Sequence, residues 1–227
     1  GKAYSPVYLK TLHNQLSAVF NHAVRHYGLK AKPAAQAGNM GKAKNGEMQF
    51  WTKTEYLQFI EAMMDKPRSF YAFEMLYWTG IREGELLALT PADFDFERQT
   101  VSITKSYQRM KGRDVITDPK TPKSNRVVQM PSFLCDEIQD YIKTLYAVQP
   151  DDRIFQVTKS YLFREMERGC KETGVKRIKI HGLRHSHISL LIDMGFSASA
   201  IADRVGHESI DITYRYAHLF PTRQTEM

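Results

Sequence analysis

Histidine and arginine side chains near the carboxyl end of the sequence are suited to bind an anion. Five of the eight histidines lie in the last 47 residues, and they are His181, His185, His187, His207 and His218. His181 and Arg184 stand three positions apart, so at the N-terminus of a helix both can face one anion beside free backbone N–H groups. Arg82 offers a second guanidinium, and two such forks match the equatorial oxygens of a phosphoryl group at its transition state.

A metal site is the first alternative use of these histidines. His181 and His185 share a helix face because they are four positions apart, whereas His187 does not. The spacing is not HExxH, and the two cysteines, Cys135 and Cys170, cannot form a CxxC pair. The sequence therefore predicts no metal site.

Two tyrosines near the end of the chain are candidate nucleophiles. Tyr214 and Tyr216 follow shortly after His207, and a tyrosine hydroxyl can form a covalent intermediate. Packing explains either tyrosine equally well, and Arg82 can simply pair with Glu85 on the same helix face. Taken singly, each of these residues is more often structural than catalytic.

The positive charge of the chain is concentrated in its first fifth. Lysine and arginine number 32 against 25 acidic residues, for a net charge of +7. The first 46 residues contain no acid and hold seven basic residues, which are Lys2, Lys10, Arg25, Lys30, Lys32, Lys42 and Lys44. This imbalance favours a polyanion partner, because each phosphate contact releases condensed counterions. A basic segment without a specific partner is the alternative.

Composition excludes several classes of protein. With 42% hydrophobic and 25% charged residues, the chain is typical of globular proteins rather than disordered ones. No apolar run is long enough to cross a bilayer, and the first residues lack the apolar core of a signal peptide. Two distant cysteines suit a reducing compartment, so we expect a cytoplasmic protein.

Periodicity and turn residues predict a mainly helical α+β fold with one small three-stranded antiparallel sheet. Residues 6–27 show helical spacing, and a linker rich in glycine, alanine and lysine follows to residue 49. Thr52 and Glu55 have capping-box form and open a new domain, while Gly80 ends its second helix. Strands are expected at 101–103, 115–116 and 127–128, and further helices at 82–89, from 132, and at 160–173, 182–194, 197–205 and 209–217.

Four segments together resemble the sequence boxes of a known family. They are 79–89 (TGIREGELLAL), 120–121 (KT) ahead of 126–128 (RVV), 181–185 (HGLRH), and 205–207 (VGH) followed by 216–218 (YAH). In this order, and over about residues 50–220, they resemble tyrosine recombinases, the lambda-integrase-like phage integrase family. The basic first helix and linker are most similar to integrases of conjugative transposons.

The resemblance implies a domain organisation and a role for each reacting group. Residues 1–30 would be the last helix of an incomplete core-binding domain, 31–48 a basic linker, and 49–227 the catalytic domain. Tyr216 would attack a DNA phosphate and form a 3′-phosphotyrosyl link with release of a 5′-hydroxyl group. Arg82 and Arg184 would stabilise the phosphorane, with Glu85 orienting Arg82. Lys120 would protonate the leaving 5′ oxygen.

Further implications of the resemblance concern the histidines, cofactors and partners. His181 would take part in proton transfer with the nucleophile, and His207 would hydrogen-bond the phosphate. No metal, ATP or other cofactor is required, because the arginines and lysine supply the charge and the bond energy is retained. The partners would be double-stranded DNA and further copies of the chain, a tetramer in the synaptic complex, acting at the nucleoid. The DNA-binding candidates are Lys2, Lys10, Arg25, Lys30, Lys32, Lys42, Lys44, Lys123 and Arg126.

Several alternatives remain open at this stage. Tyr214 competes with Tyr216 as nucleophile, and Lys123 competes with Lys120 as general acid. Eleven residues follow Tyr216, a short tail for docking into a neighbouring copy. Other functions on the same residues are a type IB topoisomerase, a non-catalytic DNA-binding regulator on this fold, and a metal-dependent nuclease.

Overall fold

The computed structural model describes residues 4–42, 48–118 and 122–216. The chain divides into two compact units, one ending at residue 47 and the other beginning at Met48. No helix of the described residues is long and apolar enough to cross a membrane.

The first unit is built on one long helix, α1 (Pro6–His26). The Ser5 hydroxyl caps its start by accepting the Tyr8 N–H at 3.2 Å. A short helix, α2 (Pro33–Gln36), lies inside the segment that the sequence predicts as linker. The apolar stripe of α1 is only partly covered by this unit, since Leu16 and Val19 remain exposed.

Eight helices are described in the second unit. They are α3 (Lys53–Glu61), α4 (Pro67–Thr79), α5 (Glu83–Leu86), α6 (Ser132–Thr144), α7 (Lys159–Thr173), α8 (Gly182–Asp193), α9 (Ala198–Val205) and α10 (Ile210–Tyr214). The capping box of Thr52 and Glu55 is formed, as predicted. The predicted helix at 209–217 is shorter in the structure, because α10 ends at Tyr214.

The strands form two separate antiparallel sheets. β1 (Phe94–Asp95), β2 (Thr100–Ile103) and β5 (Arg126–Gln129) make the three-stranded sheet, with β2 in the centre. β3 (Ser106–Met110) and β4 (Arg113–Thr117) form a hairpin of their own. The prediction that 115–116 joins the larger sheet is therefore wrong. Lys111 and Gly112 both have positive φ, and this two-residue turn pairs β4 with the segment directly before it.

The overall class, mainly α with small antiparallel sheets, agrees with the prediction. Helix α4 lies at the centre of the main core, where the rings of Tyr56 and Tyr77 stack at 3.6 Å. A smaller apolar cluster joins α8 and α9.

A close approach at Gly80 positions the start of α5. Gly80 ends α4 with φ +66°, and a Cβ there would lie 2.5 Å from the His187 ring on α8. Glycine is therefore required both for its backbone angle and for its lack of a side chain. The contact places the segment that leads to Arg82 directly beside α8.

Candidate active site

Arg82 is held at the N-terminus of α5 by Glu85. The Glu85 carboxylate accepts the Arg82 backbone N–H at 2.8 Å and Nη1 at 2.7 Å. The second terminal nitrogen of Arg82, Nη2, donates to the carbonyl oxygen of Gly206 at 3.1 Å. Glu85 is buried, whereas Arg82 is partly exposed, so one edge of the guanidinium faces the cleft.

Arg184 reaches the same turn from α8. Its side chain is 3% exposed and donates to the carbonyl oxygens of Gly80, at 2.8 Å, and of Val205. Burial, followed by the positive charges of Arg82 and Arg126, lowers the pKa of Arg184. Two guanidinium groups about 100 positions apart in sequence therefore bind consecutive carbonyls at the end of α9.

Arg126 on β5 makes the third contact with this turn. Its Nε donates to the Arg204 carbonyl at 3.0 Å, and Nη2 and Nη1 donate to Glu85 at 2.8 and 3.2 Å. The side chain is only 6% exposed. This placement argues against the sequence-based prediction that Arg126 contacts DNA, because its donors point into the protein.

The two candidate tyrosines lie in different surroundings. Tyr216 is 2% exposed and packs in the apolar cluster of α8 and α9, while Tyr214 is 53% exposed. The Tyr216 hydroxyl forms a hydrogen bond with Nδ1 of His185. Burial raises the pKa of Tyr216 to about 12, although Arg184 and Arg215 act in the opposite direction. At neutral pH the phenol is therefore protonated and needs a base.

His185, and not His181, contacts the phenol. Desolvation, together with the charges of His181 and Arg184, lowers the pKa of His185 to about 4, so the imidazole is neutral at pH 7 and Nδ1 can accept a proton. The exposed His181 ring meets His185 edge-on, with centroids 4.9 Å apart. The expectation that His181 itself handles the nucleophile's proton is not met in this arrangement. The HGLRH segment contains both rings, but spacing alone does not distinguish them.

His207 follows the turn that receives the arginines. It is buried, and its Nδ1 lies 2.8 Å from the Thr213 hydroxyl at the end of α10. Desolvation, followed by the charges of Arg184 and Arg82, lowers the pKa of His207 to about 3. A neutral imidazole next to two guanidinium groups can donate a hydrogen bond from its other ring nitrogen to a phosphate oxygen, which is the role that the resemblance implies.

The lysine predictions have mixed outcomes. Lys120, the predicted general acid, lies outside the described residues, as do Lys2 and Lys44. The exposed Lys123 donates to the Glu208 carbonyl at 3.1 Å, beside the turn. Lys105, which the sequence analysis did not single out, borders the cleft but pairs with Asp93 at 3.0 Å.

The remaining N-terminal candidates lie in the first unit. Lys10 is partly buried and donates to the Asn39 side chain at 2.5 Å. The other four described DNA-binding candidates of this unit are exposed, and they are Arg25, Lys30, Lys32 and Lys42.

A basic rim in the second unit was missed by sequence reasoning. A cleft of about 530 Å³ beside Arg82 and His181 adjoins a wider one of about 1030 Å³. The rim is formed by four exposed side chains, Lys159, Arg164, Arg177 and Lys179. They come from α7 and from the segment before α8, without a run or period that would mark them in the sequence.

Metal ligands do not converge in the described residues. Within 4–42, 48–118 and 122–216, no three histidine, cysteine, aspartate or glutamate side chains lie close enough together to hold an ion.

The sequence matches the family model described as "Phage integrase family" over residues 49–223. It is 31% identical to the ICEBs1 integrase of Bacillus subtilis (strain 168), over 93% of this chain and 61% of that relative. It is 24% identical to the XerC-like tyrosine recombinase of Caldanaerobacter subterraneus subsp. tengcongensis, over 96% of this chain and 63% of that relative. The chain thus spans about three fifths of the length of these relatives.

Solved structures share the fold. The Tn1549 transposon integrase in complex with a circular intermediate DNA matches with a TM-score of 0.79 and 19% identity, over 97% of this chain and 76% of that one. A lambda integrase dimer bound to a core site matches with a TM-score of 0.62 and 18% identity, over 89% of this chain and 72% of that one. At such identities the likeness concerns the fold.

Proposed function

Since the chain belongs to the phage integrase family, we propose that it is a site-specific recombinase that cleaves and rejoins DNA strands through a 3′-phosphotyrosyl link. One observation carries the proposal. Arg82 and Arg184 bind adjacent carbonyls of the turn after α9, and the Tyr216 phenol lies against the same helices. This grouping of two guanidinium groups with one phenol supports the proposed roles of phosphate binding and nucleophilic attack. We propose a role in the integration and excision of a mobile element, and the name of one relative, the ICEBs1 integrase, supports the integration part.

In the proposed cleavage step, the Tyr216 hydroxyl attacks the scissile phosphorus while its proton passes to Nδ1 of neutral His185. Arg82 and Arg184 offset the negative charge that builds on the phosphorane oxygens. The bond from phosphorus to the 5′ oxygen breaks, and Lys120 is the proposed donor of the proton to that oxygen. A 5′-hydroxyl of another strand then attacks the link, and the phenol takes a proton back.

Access to the phenol must change during this cycle. Tyr216 is almost fully buried, and Arg184 is bound to protein carbonyls. A phosphate that enters between the arginines can replace those carbonyls as the acceptor, because its charge makes the stronger hydrogen bonds. We therefore place the described arrangement before DNA binding, and we propose that DNA binding opens a path to the phenol while its hydroxyl keeps the hydrogen bond with His185.

DNA and further copies of the chain are the proposed partners. The rim of Lys159, Arg164, Arg177 and Lys179 borders the cleft that leads to His181, and it offers a path for the backbone on one side of the scissile phosphate. The exposed basic residues of the first unit would add further phosphate contacts. Strand exchange between two duplexes requires several active sites, so we propose a tetramer on paired sites, formed in the cytoplasm at the nucleoid.

A nicked suicide duplex tests the function. The duplex carries the terminal sequence of the genetic element that encodes the chain, with one strand labelled on either the 3′ or the 5′ side of the cleavage site. We expect a covalent protein–DNA adduct that retains the label on the 5′ side of the cleavage site, because the link is to the 3′ phosphate of that segment. The adduct should form in EDTA as well as in Mg²⁺. Adduct formation should fall steeply between about 50 and 200 mM salt, because phosphate contacts release counterions. Free DNA ends without an adduct, formed only when Mg²⁺ is present, would instead support a nuclease.

A further inference from the structure

Arg126 is a buried arginine whose three guanidinium nitrogens all donate hydrogen bonds to protein oxygens. One edge forms a two-point ion pair with Glu85, and Nε donates to the Arg204 carbonyl. Nη1 also donates to the Ser124 carbonyl at 3.1 Å. Both partners of the ion pair are nearly inaccessible, with the Arg126 and Glu85 side chains 6% and 5% exposed. A buried pair of this geometry fixes the relative position of the elements that carry its members.

Three separate parts of the site meet at this guanidinium. Glu85 lies on α5 and also holds Arg82, so Arg126 and Arg82 share one carboxylate. The carbonyls of Arg204, Val205 and Gly206 accept from Arg126, Arg184 and Arg82, in that order. The carboxyl end of a helix carries the negative end of its dipole, which favours cations there.

The Arg126 side chain packs closely against Gly206 in the turn. A Cβ added to Gly206 would lie 3.1 Å from the Arg126 Cδ and 3.2 Å from its Nη1. Gly206 has φ +67°, so its backbone turns tightly over the Arg126 side chain. Arg126 thus contacts the same turn whose Gly206 carbonyl accepts from Arg82.

We propose that Arg126 is a positioning residue that sets the angle of the Arg82 guanidinium at the scissile phosphate, through the shared Glu85 carboxylate and the turn at 204–206. This inference rests on the proposed function, since it concerns the same reaction. It replaces the DNA-contacting role that the sequence suggested for Arg126.

The test uses Arg126→Lys, which keeps the charge but removes the two-point pair and the fixed fork. We expect the single-turnover rate of adduct formation at saturating suicide duplex to fall roughly 10- to 100-fold, because misplacement of a catalytic group by about 1 Å has such an effect. The dissociation constant for the duplex should change less than about twofold, since no phosphate contact is removed. Arg168→Lys is the matched control, because Arg168 pairs with Glu165 and Glu172 on α7 away from the turn. The control should retain the wild-type rate.

A double-mutant cycle separates positioning from general damage. On an Arg82→Lys background, Arg126→Lys should lower the rate less than about threefold further, because residues that act as a unit are not additive. An equal loss on both backgrounds would show that Arg126 acts independently of Arg82 and would overturn the inference. A weaker affinity whose salt dependence is reduced by about one phosphate would assign it to DNA contact.

Folding is monitored alongside by circular dichroism, and rates are normalised to the folded fraction. If Arg126→Lys does not fold, Arg126→Gln provides the same comparison with a neutral side chain that still reaches the Arg204 carbonyl. An adduct formed by the wild type and by either Arg126 variant at equal rates would overturn the inference while leaving the proposed function intact. Absence of an adduct with the wild type would refute the proposed function itself.

Discussion

Substitution of Glu85 by glutamine should uncouple the two arginines that its carboxylate holds. Four hydrogen bonds converge on this group, two from Arg82 and two from Arg126, at 2.7–3.2 Å. A glutamine keeps one acceptor oxygen, and its NH₂ group would face guanidinium donors. At least two charge-assisted bonds are lost, at about 1.5–3 kcal/mol each.

A loss of similar size is expected when the ion pair is considered as a whole. Removal of one partner of a buried pair costs about 3–5 kcal/mol, because the other charge is left without a counterion. We therefore expect the free energy of unfolding of Glu85→Gln, from urea denaturation at pH 7, to fall by about 3–5 kcal/mol. Its adduct formation with the suicide duplex should fall by at least about 10-fold in the fraction that remains folded, because Arg82 loses its orientation.

The pH dependence of this deficit has a defined sign. Although burial alone would raise the pKa of Glu85, its bonds with Arg126 and Arg82 lower it below the usual value. The stabilisation is therefore present above about pH 4.5 and is lost as the pH falls through the folded-state pKa. The loss of unfolding free energy caused by Glu85→Gln should therefore become smaller as the pH falls below about 4.5.

Glu165→Gln is the matched control, since Glu165 is also buried and pairs with Lys66 and Arg168 away from the site. It should lower stability and leave the cleavage rate of the folded protein unchanged. A deficit below about 1 kcal/mol for Glu85→Gln, in the range of an exposed pair, would refute the reasoning from burial.

Three further predictions concern single side chains. His185→Asn should lower the single-turnover cleavage rate by about 10²-fold, the effect of losing a general base, while His181→Asn should lower it less. A larger effect of His181→Asn would indicate that His181 is the general base. Arg82→Lys should retain DNA affinity in a gel-shift titration but lose most cleavage, since a lysine cannot replace a two-point fork, and parallel losses would indicate that Arg82 only positions DNA. Burial lowers the pKa of His187 to about 3, so its contribution to stability is full above the unfolded-state pKa near 6.5 and is lost as the pH falls toward 3. In urea denaturation, His187→Gln should reduce the slope of stability between pH 6 and 5 by about 1.2 kcal/mol per pH unit, and an unchanged slope would contradict its buried, neutral state.

Features set by neighbours in sequence were predictable. The capping box at Thr52, the glycine stop at Gly80 and the pairing of Glu85 with Arg82 depend on residues three or four positions apart. Helix geometry fixes these contacts before any tertiary packing forms. The boundaries of most helices follow for the same reason.

Features set by tertiary packing were not predictable. Arg126 and Glu85 are 41 positions apart, and nothing in the spacing of β5 indicates that its first side chain points into the site. The choice between His181 and His185 depends on where the chain returns after α9. Strand β4 was assigned to the larger sheet, and β3 was not predicted, because short alternating strands do not specify their partner.

The attachment site of the DNA tests the central claim most directly. Arg215 lies between the two candidate tyrosines, so trypsin releases them in different peptides, residues 205–215 and 216–223. After the suicide duplex reacts and the adduct is digested with nuclease and trypsin, mass spectrometry should find the residual nucleotide on Tyr216 in the second peptide. A nucleotide on Tyr214, or on any side chain outside that peptide, would contradict the account.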